Sequence, residues 1–458
     1  MITPNAPVPD GRFSRIIARA GVGRQALSDG ASGLGIEAAQ LVGTFIFFAL
    51  VSRQLGPTDY GSFAAMYSLI GVSLALAHIG PGLAFLQHSM DGSGKSVRAV
   101  SANFFTIYLV LIGVSVAIVL GLSPVLLPHL PIGTVVLFMV AELFGATLVQ
   151  VARTLQLIVS GFRATVSLQL LLVAIKTVVV VALYIADSLT LRSYGLVYAC
   201  SCVVIGFIVF ASVTRSLNIP RRLGRLRREQ VNTTLTISST VWVFNLHNDG
   251  DKLIMSANNL GADVGLYAAA YRMVMLAVLP INALVTSSYR TFVDPEVGNH
   301  LRRAAKYTLA TTVYCTIAAA ILIVAAPVAL PLVVGDGFKG AVTMTRWLAP
   351  LMIVRGLTHF PMSALMGIGH ARARLWCIVI SAAVAMVLYV TLVPSLSWRG
   401  AVIGSYCSDA VLAVAGWVAL WRLTRTGAVP PVVSAAVSAA VSAAVSGSVA
   451  KAQSGDAQ

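Results

Sequence analysis

Leu55-Gly56-Pro57-Thr58-Asp59-Tyr60-Gly61-Ser62-Phe63-Ala64-Ala65-Met66-Tyr67 decides how this 458-residue chain is read, because the chain carries the pattern twice. The second copy is Leu260-Gly261-Ala262-Asp263-Val264-Gly265-Leu266-Tyr267-Ala268-Ala269-Ala270-Tyr271. With one residue gapped, Leu, Gly, Asp, Gly, an aromatic, Ala-Ala and Tyr match in order. A second echo sets Leu189-Thr190-Leu191-Arg192 against Leu396-Ser397-Trp398-Arg399, and Cys200-Ser201 against Cys407-Ser408. Both echoes share an offset of 204–207 residues, which marks an internal duplication.

The duplicated unit is built for lipid. The chain is 57% hydrophobic and 10% charged, with a mean hydropathy of +0.86. A soluble domain carries roughly 45–50% apolar and about 25% charged residues, so a water-soluble globular protein is excluded. A transmembrane helix needs about 20 mostly apolar residues. Twelve windows qualify, at 31–52, 61–87, 99–120, 132–151, 164–186, 194–213, 234–257, 264–288, 307–326, 343–366, 375–393 and 400–421, numbered here as spans one to twelve. Breakers such as Gly56-Pro57-Thr58-Asp59, Ser123-Pro124 and Val334-Gly335-Asp336-Gly337 separate them. The chain lacks the alternating ten-residue strands of an outer-membrane barrel. The expected fold is an all-α polytopic membrane protein of two six-helix repeats. Six is even, so the repeats run parallel about an axis along the membrane normal, an architecture of alternating-access transporters with the substrate site between the halves.

The formal charge of +16 resolves into topology. With the N-terminus inside, 23 Lys and Arg fall in cytoplasmic segments and four (Arg53, Arg192, Lys339, Arg399) in outer loops. That asymmetry predicts cytoplasmic N- and C-termini. The cytoplasmic acids number seven, so these segments alone account for the excess, and no nucleic-acid partner is implied. The domains read as a basic N-terminal segment 1–30, a lobe 31–213, an Arg-rich linker 214–233 on anionic headgroups, a lobe 234–421 and a low-complexity tail 422–458. Arg12 to Leu27 fits an interfacial amphipathic helix, and the Val-Ser-Ala-Ala repeats of 433–445 bury no core. No cleaved signal peptide is expected. The five cysteines sit in apolar runs without metal-ligand spacing. No Walker A sequence, no Ser/His/Asp or HExxH grouping and no large aqueous loop is present, so an enzyme is not expected.

Charges at membrane depth are costly and are read as functional by default. The spans hold five cations (Lys176, Lys252, Arg272, Arg346, Arg355) and five anions (Glu37, Glu142, Asp249, Asp251, Asp409). Asn245, Asp249, Lys252 and Ser256 share a face of span seven, with Asp249 in reach of Lys252 at i+3. Arg355 and His359 form an i, i+4 pair in span ten; Glu37, Gln40 and Thr44 align in span one, and Gln169 and Lys176 in span five. Arg346 lies near the outer end of span ten, where it snorkels. Such faces point to a hydrated cavity, and the competing reading has the same charges pinning helices together. Because the ten buried charges sum to zero, their arrangement rather than their number must carry any preference for anions. Pro81, Pro280, Pro350 and Pro361 can kink their spans.

Arg53-Gln54-Leu55-Gly56-Pro57-Thr58-Asp59-Tyr60-Gly61, and Asp251-Lys252-Leu253-Ile254 followed by the second copy through Arg272, resemble polysaccharide-biosynthesis transporters. These are the Wzx-type flippases of the MOP (multidrug/oligosaccharidyl-lipid/polysaccharide) exporter superfamily. The resemblance covers about 28–421. It implies a MATE-like V of two lobes around a central cavity, and transport of an undecaprenyl-pyrophosphate-linked oligosaccharide across the bacterial inner membrane for exopolysaccharide or O-antigen export. On that view Asp251 and Arg272 match family-typical acidic and basic positions. Twelve spans, rather than fourteen, disfavour a lipid II flippase. The candidate substrate cavity is Lys176, Arg272, Arg355, His359 and Tyr271. Glu37, Glu142, Asp249, Asp251 and Asp409 would orient those cations or carry a coupling proton or sodium ion, and no organic cofactor or metal is expected. The implied partners are the lipid-linked oligosaccharide, membrane lipids, and the polysaccharide polymerase and chain-length regulator. A multidrug and toxin extrusion exporter and a non-transporting scaffold of a polysaccharide-assembly complex remain alternatives.

Overall fold

A computed structural model describes residues 24–89, 94–288, 292 and 300–425, with side-chain burial described from residue 42 onward. The expected interfacial helix at 12–27, the side chains of Glu37 and Gln40, and the tail repeats at 433–445 lie essentially outside the described residues. Among the described residues the backbone is helical almost throughout, with no strand. In hydrocarbon every backbone polar group needs a partner inside its own segment, which helices alone provide to open chains.

Eleven of the twelve windows fall on unbroken helix to within one residue, and the tenth crosses a break at residues 349–350. Spans one and two share the run Arg24–Leu74, and span two continues through a π-helical turn, Ala75–Ile79, into Gly80–His88. Span three is Gly94–Leu126. Span four runs from Ile132–Met139 through a second π turn, Val140–Ala146, into Thr147–Ser160. Spans five to nine are Phe162–Ile185, Leu191–Ser216, Arg228–Ala257, Gly261–Ser288 and His300–Val334. Span ten comprises Ala341–Leu348 and Leu351–Gly367, and spans eleven and twelve are Ala371–Leu396 and Trp398–Arg425.

Nine helical stretches among the described residues are long and apolar enough to cross a membrane, the first holding both span one and span two. Spans seven and ten fall outside that set. Pro350 divides span ten into pieces of 8 and 17 residues, and span seven is amply long at 30 residues but too polar. These two spans carry Asp249, Asp251, Lys252 and Arg355, so their polarity is the mark of an interior position.

Two expected breakers behave differently from the sequence reading. The turn at 56–59 shrinks to one residue: Gly56 alone leaves the helix, at φ 69°, ψ 176°, a region only glycine occupies comfortably. Pro57 then suits the first helical position, where no amide donor is needed. Ser123-Pro124 does not end span three, which continues to Leu126. Pro124 removes an amide donor, and the Ser123 hydroxyl donates to the Leu120 carbonyl at 3.2 Å.

The two copies of the duplicated motif pack directly on each other. A Cβ on Gly61 would overlap the Gly261 carbonyl oxygen and stand 2.7 Å from the Gly265 nitrogen; a Cβ on Gly265 would overlap the Pro57 carbonyl. Spans one, two, seven and eight therefore form the seam between the halves. Beside it Arg53 of span one donates from Nε to the Val333 carbonyl at 2.9 Å and from Nη2 to the Leu332 carbonyl, covering the end of span nine. Tyr60 meets Phe338 edge-on at 5.8 Å. Deeper in the seam Asn245 Nδ2 donates to the Gly71 carbonyl at 3.1 Å, and Gly80 lies against Ser238 with no room for a Cβ.

Away from the seam the helices present apolar surface outward: Val324 is 78% exposed and Phe207 66%. Such exposure is at home in lipid and costly in water. The linker is tied down rather than loose. Gly224 N donates to the Ala102 carbonyl at 2.8 Å, and Arg221 Nε to Thr214 Oγ1 at 2.7 Å.

The seam makes a testable demand. Overpacking a core costs about 1–3 kcal/mol, and here the obstruction is backbone. Gly265→Val and Gly61→Val are expected to lower the melting temperature by several degrees or abolish monodisperse protein in detergent size-exclusion chromatography. Gly121→Val, at a position where a Cβ would meet no atom within 4 Å, is expected to behave as the parent protein.

Candidate functional site

A carboxylate in a helix bundle surrounded by hydrocarbon persists only with a cation or several hydrogen-bond donors beside it. Each half meets this requirement around the tyrosine of its own motif copy. In the first half Glu142, on the π turn of span four, is almost fully buried. Its Oε1 pairs with Lys176 Nζ of span five at 2.7 Å and accepts from the hydroxyls of Tyr67 (3.0 Å) and Tyr198 (2.8 Å). The Lys176 ammonium also lies 5.3 Å from the Tyr67 ring centroid and 5.6 Å from that of Tyr198, within cation–π range. Tyr194 stacks on Tyr198 at 5.4 Å and holds that ring in place.

The second half holds two clusters that meet at Tyr271, the counterpart of Tyr67. In span seven Lys252 Nζ contacts Asp249 Oδ1 at 2.9 Å, Asp251 Oδ1 at 3.2 Å and the Asn248 carbonyl at 3.2 Å, and sits 4.1 Å over the Tyr271 ring. Asp251 is buried and accepts from the Tyr267 hydroxyl at 2.7 Å. On the other side of Tyr271, Arg355 of span ten lies 5.2 Å from the ring centroid and donates from Nε to Asp409 Oδ2 of span twelve at 2.8 Å. The second Asp409 oxygen faces His247 Nε2 at 3.1 Å, and the His247 Nδ1 edge lies 3.5 Å from Ser381 Oγ. Spans seven, ten, eleven and twelve thus converge on one buried carboxylate.

The structure brings together most of the residues singled out from sequence. Glu142 joins Lys176, Asp249 joins Lys252 at the expected i+3 spacing, and Arg355 joins Asp409. Arg346 is exposed near one end of the bundle, its Nε 3.4 Å from the Ile323 carbonyl. Arg272 stands apart: it is exposed in mid-span and has no hydrogen-bond or ion-pair partner among the described residues. His359 lies one turn beyond Arg355, close enough to feel the charges of Arg355 and Asp409, but among the described residues it is hydrogen-bonded to neither. The histidine bonded to Asp409 is His247, which the sequence does not single out. Its signal is the same as that of His359, an imidazole within a charged span, and only tertiary packing separates the two. No group of three or more His, Cys, Asp and Glu side chains among the described residues is placed to hold a metal ion.

No protein-family model and no curated protein sequence matches the chain. Solved structures do. An inward-facing multidrug-resistance MATE transporter of the MOP superfamily superposes with a TM-score of 0.62 at 14% identity, over 84% of this chain and 95% of the other. A MOP superfamily transporter from Pyrococcus furiosus, described as having a binding pocket of reversed polarity, gives 0.58 at 16% over 88% and 94%. An outward-facing MATE transporter gives 0.57 at 15% over 86% and 96%. Polytopic, all-helical and duplicated, this chain has the fold of MATE-type transporters of the MOP superfamily.

Proposed function

We propose that this chain is a Wzx-type flippase, which carries an undecaprenyl-pyrophosphate-linked oligosaccharide across the bacterial inner membrane by alternating access for exopolysaccharide or O-antigen export. One observation carries the reading beyond the fold. Glu142, Asp249, Asp251 and Asp409, the described in-span carboxylates, are each held by a cation of the chain itself. Among the described in-span charges Arg272 is exposed and without a hydrogen-bond or ion-pair partner, while the exposed Arg346 reaches the Ile323 carbonyl near one end of the bundle. An anionic substrate fits such an inventory; among the described in-span residues a cationic drug finds no carboxylate without a cation beside it.

On this reading Arg272 takes a phosphate or uronate oxygen through its paired N–H donors. Arg355, 5.2 Å from the Tyr271 ring centroid, has its side chain 12% exposed. No covalent bond changes, so the chain acts as a transporter and not an enzyme. The acids are then available to couple proton or sodium movement through the cations they hold. The charge asymmetry of the loops puts the Gly61–Gly265 end outside, so outward release requires the contacts of Arg53 and Tyr60 to separate.

Losing a charge-assisted hydrogen bond costs about 1.5–3 kcal/mol, so Arg272→Ala is expected to lower surface polysaccharide roughly tenfold or more in a deletion host with protein levels matched. Normal polymer in both Arg272→Ala and Arg355→Ala would overturn the anionic-substrate reading. Greater drug sensitivity on deletion, without polymer loss, would indicate a multidrug exporter instead.

A pinning role is separable from transport. Arg355→Ala leaves a buried carboxylate short of its cation, a loss of about 3–5 kcal/mol. Arg355→Met/Asp409→Asn removes both charges and is expected to recover melting temperature but not polymer. Recovery of both would make the pair a helix pin, as a scaffold requires.

The orientation has its own check. In a cysteine-free background in spheroplasts, Lys339→Cys is expected to react with an impermeant maleimide. Arg225→Cys is expected to react only after permeabilisation, and the reverse pattern would invert the topology.

A further inference from the structure

Lys176 and Lys252 sit in their surroundings as bound organic ammonium ions would. The Lys176 ammonium has a carboxylate oxygen at 2.7 Å and two tyrosine rings within 5.6 Å. The Lys252 ammonium has two carboxylates and a carbonyl within 3.2 Å, and a tyrosine ring at 4.1 Å. Carboxylate oxygens combined with aromatic faces are the chemistry that recognises alkylammonium ions. Both cages open to the surroundings: the Lys176 side chain is 29% exposed and that of Asp249 37%. The lysines reach their cages from unrelated places in the duplicated frame, span five and span seven, while the tyrosines they share it with, Tyr67 and Tyr271, are counterparts. The same kind of site therefore recurs in both halves, and in each it is filled from within.

The geometry points to two alkylammonium sites, one in each half, in which Lys176 and Lys252 act as tethered plugs that keep free organic cations off Glu142, Asp249 and Asp251. The lysines thereby set the sign of charge the chain accepts, by exclusion, in addition to whatever Arg272 contributes by attraction. This inference does not depend on the identity of the transported lipid, and its test uses no polysaccharide readout, so the two can fail separately.

Truncation to alanine removes three carbons and the amine, the atoms of n-propylammonium. In the full-length detergent-purified protein, Lys176→Ala and Lys252→Ala are expected to gain a saturable rise of a few degrees in melting temperature with n-propylammonium chloride. Half-saturation is expected on the order of millimolar, because the free amine lacks the effective concentration of the tethered one. Neither 1-propanol, the neutral isostere, nor sodium chloride is expected to reproduce the rise. The parent protein, and Lys176→Met and Lys252→Met, which keep the stem in place, are expected not to respond. Glu142→Gln added to Lys176→Ala is expected to abolish the first site. Should an alanine variant not fold unaided, a greater yield of folded protein in n-propylammonium than in 1-propanol reads the same binding. The proposal is overturned if the alanine variants respond no more to the amine than to the alcohol or salt, if the parent responds equally, or if the amine does not improve the yield of an unstable variant.

Discussion

Everything in this fold hangs on two backbones touching. Between helices in lipid there is little hydrophobic drive, so close packing through small residues does much of the work. Gly61 and Gly265 supply it at one position, once from each copy of the same motif. Their contact fixes the two copies face to face, and the residues that follow them come out in equivalent places. Phe63 and Tyr267, then Tyr67 and Tyr271, are counterparts along spans two and eight. Each of the second pair lies under a lysine ammonium in its own half. A geometric demand at the seam thus becomes a chemical arrangement two turns further on.

The second constraint is that of charge in a low-dielectric setting. A buried ion pair gains less than its Coulomb attraction suggests, because both members lose water. Such pairs persist where extra donors complete the site. Glu142 has two tyrosine hydroxyls besides its lysine, Asp251 has Tyr267 besides Lys252, and Asp409 has His247 besides Arg355. The buried tyrosines serve twice, by hydroxyl to an anion and by ring face to a cation. That economy lets spans seven and ten be polar without being unstable, since their charges end on partners rather than on lipid.

What can be seen in the sequence follows from the range of the interactions involved. The twelve spans are visible because a membrane helix is a local property of about 20 residues, and the duplication because it is written twice. Asp249 and Lys252 are visible as a pair because i+3 spacing is set by helix geometry alone. The Glu142–Lys176 and Arg355–Asp409 pairs are visible only as isolated buried charges, since 34 and 54 residues separate the partners. His247 is lost for the same reason: facing Asp409 depends on how spans seven and twelve pack. Reading Gly56 to Asp59 as a turn, and Ser123-Pro124 as a break, errs by treating composition as conformation. One glycine suffices in the first case, and a serine hydroxyl covers the lost bond in the second.

The shared features of the two copies build the frame, and the differences between them carry the polarity. After Tyr67 the first copy has Ser68, small and buried; after Tyr271 the second has Arg272, long and exposed. In the same way the first half answers its tyrosine with one lysine and one glutamate, while the second surrounds its tyrosine with Lys252, Arg355 and three aspartates. A net charge summed over the spans hides this, because the ten in-span charges cancel. Pairing removes the described carboxylates from the account and leaves two guanidiniums: Arg346, which reaches the Ile323 carbonyl near one end of the bundle, and Arg272, at a position where the duplicated pattern itself diverges. Any selectivity of a duplicated helical bundle is therefore better sought where its halves disagree than where they match.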